Sequence, residues 1–159
     1  MSLVSDRVGY LLTRYTAQDI AEITGISLSS ISPSVGVLEP LDGNVRKNIY
    51  NLYGRTVYAD LRAVGASASE ARGYRSKSVA SVIARLGQRT ELIDDLANGR
   101  LAQYTKYLQR QGRYVSEEDT LASLKESIAT AMGRSKLAPS HYDYESYPTL
   151  DYGVLDDED

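Results

Sequence analysis

Apolar residues recur at helical spacing along most of this chain, and strand-like alternation is nowhere sustained. Val4, Val8, Leu11 and Leu12 mark a first helix over roughly 3–14. Thr16 is a good N-cap for a second, which carries Ile20, Ala21 and Ile23 and ends at Gly25. Ser27 caps a third, which meets Pro33 within two turns. Residues 33–44 (PSVGVLEPLDGN) hold two prolines and two glycines and read as a loop.

Asn44 then caps a long helix. Its apolar positions Val45, Ile49, Leu52, Tyr53, Val57, Leu61 and Val64 advance by threes and fours, the strongest amphipathic signal in the chain. Gly65 is its stop. Ser67-Ala-Ser-Glu70 matches a capping box and opens a short helix. Val79, Val82, Ile83 and Leu86 form a run after Ser78 that Gly87 interrupts. Another run begins near Thr90, carries Leu92, Ile93, Leu96, Leu101, Tyr104 and Leu108, and stops at Gly112, with Gly99 weakening its middle. Ser116 caps a final helix with Leu121, Leu124, Ile128 and Met132 on its apolar face. Glu117, Glu118 and Asp119 suit the positive end of that helix's dipole.

The expected fold is all-α: an N-terminal helix-turn-helix-like trihelical unit, a long connecting helix, further helices, and an extended acidic C-terminal tail. Residues 1–65 form the unit with its long helix, 66–137 a helical region, and 138–159 the tail.

Composition changes this picture in two ways. The core must be filled without Phe, Trp or Cys, and 13 tyrosines are available for it. Charge is uneven. From His141 onward there are seven acids and no Lys or Arg, so residues 1–140 carry 18 basic against 14 acidic side chains. That asymmetry fits phosphate affinity in the body, a tail that docks on a basic partner, or a tail that folds back on its own body. Without Cys there are no disulfides or thiolate metal sites. No apolar run approaches the roughly 20 residues of a membrane span, and the N-terminus has no signal-peptide pattern. The expected location is cytoplasmic or within a virion, with no membrane partner.

Ala21, Gly25 and Ile31 stand at the offsets a helix-turn-helix needs: a small residue for close helix approach, a positive-φ turn, and a branched apolar anchor. The stretch resembles the phage repressor-like (Cro and lambda repressor type) helix-turn-helix, over the N-terminal region only. The resemblance implies a second helix lying in the major groove, with Ser27, Leu28, Ser29, Ser30 and Ser32 facing base edges. Serines discriminate bases poorly, because bidentate recognition uses Arg, Lys, Asn or Gln. Pro33 departs from the family pattern and shortens that helix, since proline in a helix interior costs about 3 kcal/mol. Residues 1–36 carry Arg7 and Arg14 against Asp6, Asp19 and Glu22, so the module lacks the positive charge that drives non-specific DNA affinity.

The basic side chains lie further on. Candidate DNA or phosphate contacts are Ser27, Ser29 and Ser30 with Arg46, Lys47, Arg72, Arg75 and Lys77. The stretch EARGYRSKS (70–78) reads either as a phosphate contact with Tyr74 packing nearby or, more simply, as a solvated loop. No catalytic constellation, metal site or cofactor site is expected. His141 is the only histidine, there is no Gly-rich phosphate loop, and Asp94 and Asp95 point in different directions on a helix. In the tail, Tyr142, Tyr144, Tyr147 and Tyr152 are separated by acids, which suits an extended peptide docking on a partner.

These features give two functional expectations. One is a non-enzymatic structural or adaptor subunit of a multi-protein, phage-like assembly, homo- or hetero-oligomeric. The other is a DNA-binding protein, either a viral transcriptional regulator or a small-terminase-like DNA-recognition subunit.

Overall fold

The structure, a computed structural model, describes residues 3–32, 36–37 and 41–134. The tail over 138–159, with Tyr142, Tyr144, Tyr147 and Tyr152, lies outside the described residues, as does Pro33. The described chain is all-α: α1 (Leu3–Leu11), α2 (Ala17–Thr24), α3 (Gly43–Ala63), α4 (Ala68–Gly73), α5 (Val79–Arg110) and α6 (Glu117–Arg134). Between α2 and α3 lie a 3-10 turn (Leu28–Ser30) and a two-residue antiparallel ribbon, β1 (Ile31–Ser32) with β2 (Gly36–Val37). The ribbon is held to α1 by the buried Ser5, whose hydroxyl accepts from the Val37 amide at 3.1 Å.

The long helix α3 runs through the core. On one side Ile49 and Leu52 pack with Val8 and Leu11 of α1, Ile20 of α2, and Ile26. On another side Val57, Tyr58 and Leu61 pack with Ala68 and Ala71 of α4 and Val82 of α5. A third cluster joins Ile93 and Ala97 of α5 to Leu124, Ile128 and Ala129 of α6. Residue 65 is therefore a turn within a continuous body, because the cluster on α3 spans it.

Tyrosine takes the volume that Phe and Trp would occupy elsewhere. Tyr50, Tyr53 and Tyr58 are fully buried, and a buried phenol needs a partner for its hydroxyl. Tyr53 donates to the Lys77 carbonyl at 2.8 Å, and Tyr10 donates to Asp60. The apolar spacing along α3 marks Tyr53 but misses Tyr50 and Tyr58, which lie between the periodic positions.

The predicted caps Thr16, Ser67 and Ser116 form, and Ser78, not expected as a cap, forms one as well. Thr16 accepts from the Asp19 amide, Ser67 from Glu70, Ser78 from Ser81 and Ser116 from Asp119. Gly25 and Gly65 both adopt φ of +85°. At Gly65 a side chain is excluded twice over, since a Cβ there would lie 2.6 Å from the Ala129 carbonyl oxygen of α6.

Three expectations need correction. Gly87 and Gly99 do not divide the region after Ser78, and α5 is one helix of 32 residues. A helix-interior glycine costs only about 1 kcal/mol relative to Ala, less than the packing of Ile93, Ala97 and Leu108 supplies. Asn44 does not cap α3, which starts at Gly43 after Asp42, and Asp42 makes no side-chain cap bond. The third helix is a single 3-10 turn, and Ser27 makes no cap bond to it. The residue before a proline is pushed out of the α region, so Ser32 is extended and a helix has no room to propagate.

Candidate functional site

Ala21, Gly25 and Ile31, the three residues that carry the sequence resemblance, surround the turn after α2. Ala21 and Ile31 are partly buried against the α1–α2–α3 cluster, and Gly25 makes its left-handed turn. The element beyond the turn is the 3-10 turn Leu28–Ser30. Ser27 and Ser29 are exposed and Ser30 is half-buried. The Ser27 hydroxyl lies 2.8 Å from that of Ser30 and 3.3 Å from that of Ser29, so Ser27 bonds to both. Leu28 projects 53% exposed from the same turn.

The first turns of α3 flank this element. Asn48 donates to the Thr24 carbonyl at 3.1 Å, and Val45 sits beside Gly25. Arg46 and Lys47 lie between these two contacts in sequence and are exposed.

Arg72, Arg75 and Lys77 lie at the α4–α5 connection instead. That connection is pinned from beneath. Arg7 of α1 is 3% exposed and donates to the Ser76 carbonyl at 3.3 Å. Its guanidinium lies over the rings of Tyr50 (4.6 Å) and Tyr53 (4.9 Å), a double cation–π contact. Arg46 approaches the Tyr50 ring at 5.8 Å. Burial pushes the Tyr53 phenol up to about 12, against the opposing pull of the Arg7 charge. Tyr74 is half-buried against the α3–α5 cluster, and Arg75 donates to the Arg72 carbonyl at 3.2 Å. The 70–78 stretch is thus a fastened corner of the core as well as a basic surface.

A second corner is fastened by arginines on α5. Arg89 donates to the carbonyls of Val64 (3.1 Å) and Gly65, and it pairs with Glu70 at 3.3 Å. Arg85 meets the same carboxylate at 2.6 Å, which raises its pKa. Glu70 therefore serves the α4–α5 junction with its carboxylate and the Ser67 cap with its backbone amide.

The sequence gives no sign of one further feature. Asp60 of α3 receives Arg14 through both oxygens, at 3.0 and 3.1 Å, and also accepts from Tyr10. Burial and the Asp60 hydrogen bond both raise the Tyr10 pKa. Arg14 and Asp60 border an open groove of about 440 Å3 between α2, the α1–α2 turn and α3, lined also by Tyr15, Ile23 and Arg55. Arg14 and Asp60 are 46 residues apart, so no local spacing announces the pair.

Among the described residues no group of three or more His, Cys, Asp or Glu is placed to hold a metal ion. Asp94 forms an exposed ion pair with Lys125 at 3.1 Å. No helix among the described residues is long and apolar enough to cross a membrane. No known protein family, curated protein or solved structure matches the chain.

Proposed function

We propose that this chain is a non-enzymatic structural or adaptor subunit of a multi-protein assembly, such as a phage-like virion, built on a helix-turn-helix-like scaffold. The observation that carries this reading is the three-residue 3-10 turn in the place of a recognition helix. A reading helix in the major groove needs several successive side chains aimed at base edges. One turn of serines with Ser27 bonded to the other two, followed by a ribbon tied to α1, offers no such row. The exposed apolar side chains Leu28, Ile83, Leu92 and Val115 suit contacts with other proteins.

In this reading residues 138–159 provide the contact with neighbouring subunits, through Tyr142, Tyr144, Tyr147 and Tyr152. Light scattering of the full chain and of a chain ending at Leu137 tests it, with circular dichroism as the control for folding. The expected outcome is loss of assembly at unchanged helix content. Unchanged assembly contradicts it.

A second reading, DNA recognition by a regulator or a small-terminase-like subunit, is favoured by one specific observation. The exposed Arg46 and Lys47 stand between Val45 and Asn48, which contact Gly25 and Thr24 just ahead of the Ser27–Ser30 turn. Lys47→Ala separates the two, because loss of one phosphate contact weakens binding on every sequence and reduces the salt slope by about one.

A further inference from the structure

The far end of the α5–α6 hairpin is basic and aromatic. Between Asp95 and Glu117 the chain has four cationic side chains, Arg100, Lys106, Arg110 and Arg113, and no acid. All four are exposed, and none forms an ion pair among the described residues. Three tyrosines stand among them: Tyr104 is half-buried, Tyr107 is 45% exposed and Tyr114 is 37% exposed.

The backbone gathers these side chains. Arg100, Tyr104, Tyr107 and Arg110 are spaced by four, three and three residues, so they share one side of α5. Lys106 stands one turn before Arg110. The rings of Tyr104 and Tyr107 stack at 6.2 Å, with 13° between their planes. Beyond α5, Gly112 takes φ of +69° and its amide bonds to the Gln109 carbonyl at 3.1 Å, while the Arg113 amide bonds to the Leu108 carbonyl at 2.9 Å. This pair of bonds is a Schellman stop. It turns the chain back, so that Arg113 and Val115 line an open cleft of about 170 Å3 together with Tyr104. Asp119 of α6 is the one acid among the lining residues.

Cations without carboxylate partners, set among open aromatic faces, match the chemistry of a single strand. Phosphates meet the cations, and unstacked bases lie on the rings. A duplex can meet the cations but hides its base faces from the rings. Val115 is the only large aliphatic side chain exposed over 96–116, too small an apolar area to hold a lipid surface. We propose that the α5–α6 tip binds single-stranded nucleic acid without sequence preference. Tyr107 is the stacking platform, and Arg100, Lys106, Arg110 and Arg113 hold the backbone phosphates. The inference goes beyond the adaptor reading and does not rest on it.

Fluorescence anisotropy of labelled oligo(dT) of about 16 nucleotides, titrated with the full chain at several salt concentrations, tests it. Four phosphate contacts predict a slope of about −3 in log K against log salt. Lys106→Ala and Arg110→Ala should each reduce the size of that slope by about 0.7. Tyr107→Ala should weaken binding about tenfold at an unchanged slope, and Tyr107→Phe, which keeps the ring, should leave it intact. All three positions are exposed, so helix content by circular dichroism should not change. A duplex of the same length should bind about tenfold more weakly or worse. Absence of saturable binding overturns the inference, as does a duplex that binds as well as the single strand. Tyr107→Ala without effect overturns it too, and so do phosphatidylserine vesicles that bind the chain more tightly than oligo(dT) does.

Discussion

Gly65 carries two constraints in one residue. Its φ of +85° disfavours any side chain, and α6 closes over the place where a Cβ would stand. Left-handed backbone costs a non-glycine residue about 1–3 kcal/mol, and the clash with the Ala129 carbonyl adds to it. Gly65→Ala should lower the unfolding free energy by about 2 kcal/mol or more in urea titration; a loss below half of that would mean α6 does not press on the turn. Tyr53 gives a second residue-scale test. Its phenol titrates near 10 when unfolded and about 12 when folded. The folded state therefore holds a proton that the unfolded state has lost between those values. Stability from this group is intact below pH 10 and falls as pH rises toward 12, by up to about 1.4 kcal/mol per pH unit. Tyr53→Phe should flatten that alkaline decline, and an unchanged decline would place the titration elsewhere.

At the scale of elements, α5 shows where local signals and tertiary packing part company. Gly87 and Gly99 read as breaks because glycine is a weak helix former. Both are exposed with nothing within 4 Å of an added Cβ, so neither serves packing and the flanking apolar contacts carry the helix through. Each changed to Ala should raise stability by about 0.5–1 kcal/mol in thermal or urea unfolding; a loss at either site would mean the helix bends there. The helices and three of the caps were legible because periodicity and capping are local properties, as at Thr16, Ser67 and Ser116. The true length of the third helix was legible only in part. Pro33 announces that it is short, but the collapse to a 3-10 turn depends on Ser32 joining the ribbon that Ser5 ties to α1.

For the whole molecule, the all-α architecture and the position of α3 follow from sequence pattern, but the surfaces do not. The basic positions Arg46, Lys47, Arg72, Arg75 and Lys77 are plain in the sequence, and only the fold shows that Lys77 stands beside Tyr53 in the middle of α3 while Arg46 lies over Tyr50, one turn away. The Arg7 cage and the Asp60 groove are invisible in the sequence, since their members come from separate helices and meet only when α1 packs on α3. The central claim is that the turn at Leu28–Ser30 does not read base pairs. Its most direct test is binding of the full chain to double-stranded DNA, titrated at several salt concentrations on random and selected sequences. The account predicts binding no tighter than about 10⁻⁴ M with no sequence preference. Site-specific binding near 10⁻⁸ M with a steep salt slope, lost on substitution of Ser27, Ser29 or Ser30, would contradict it.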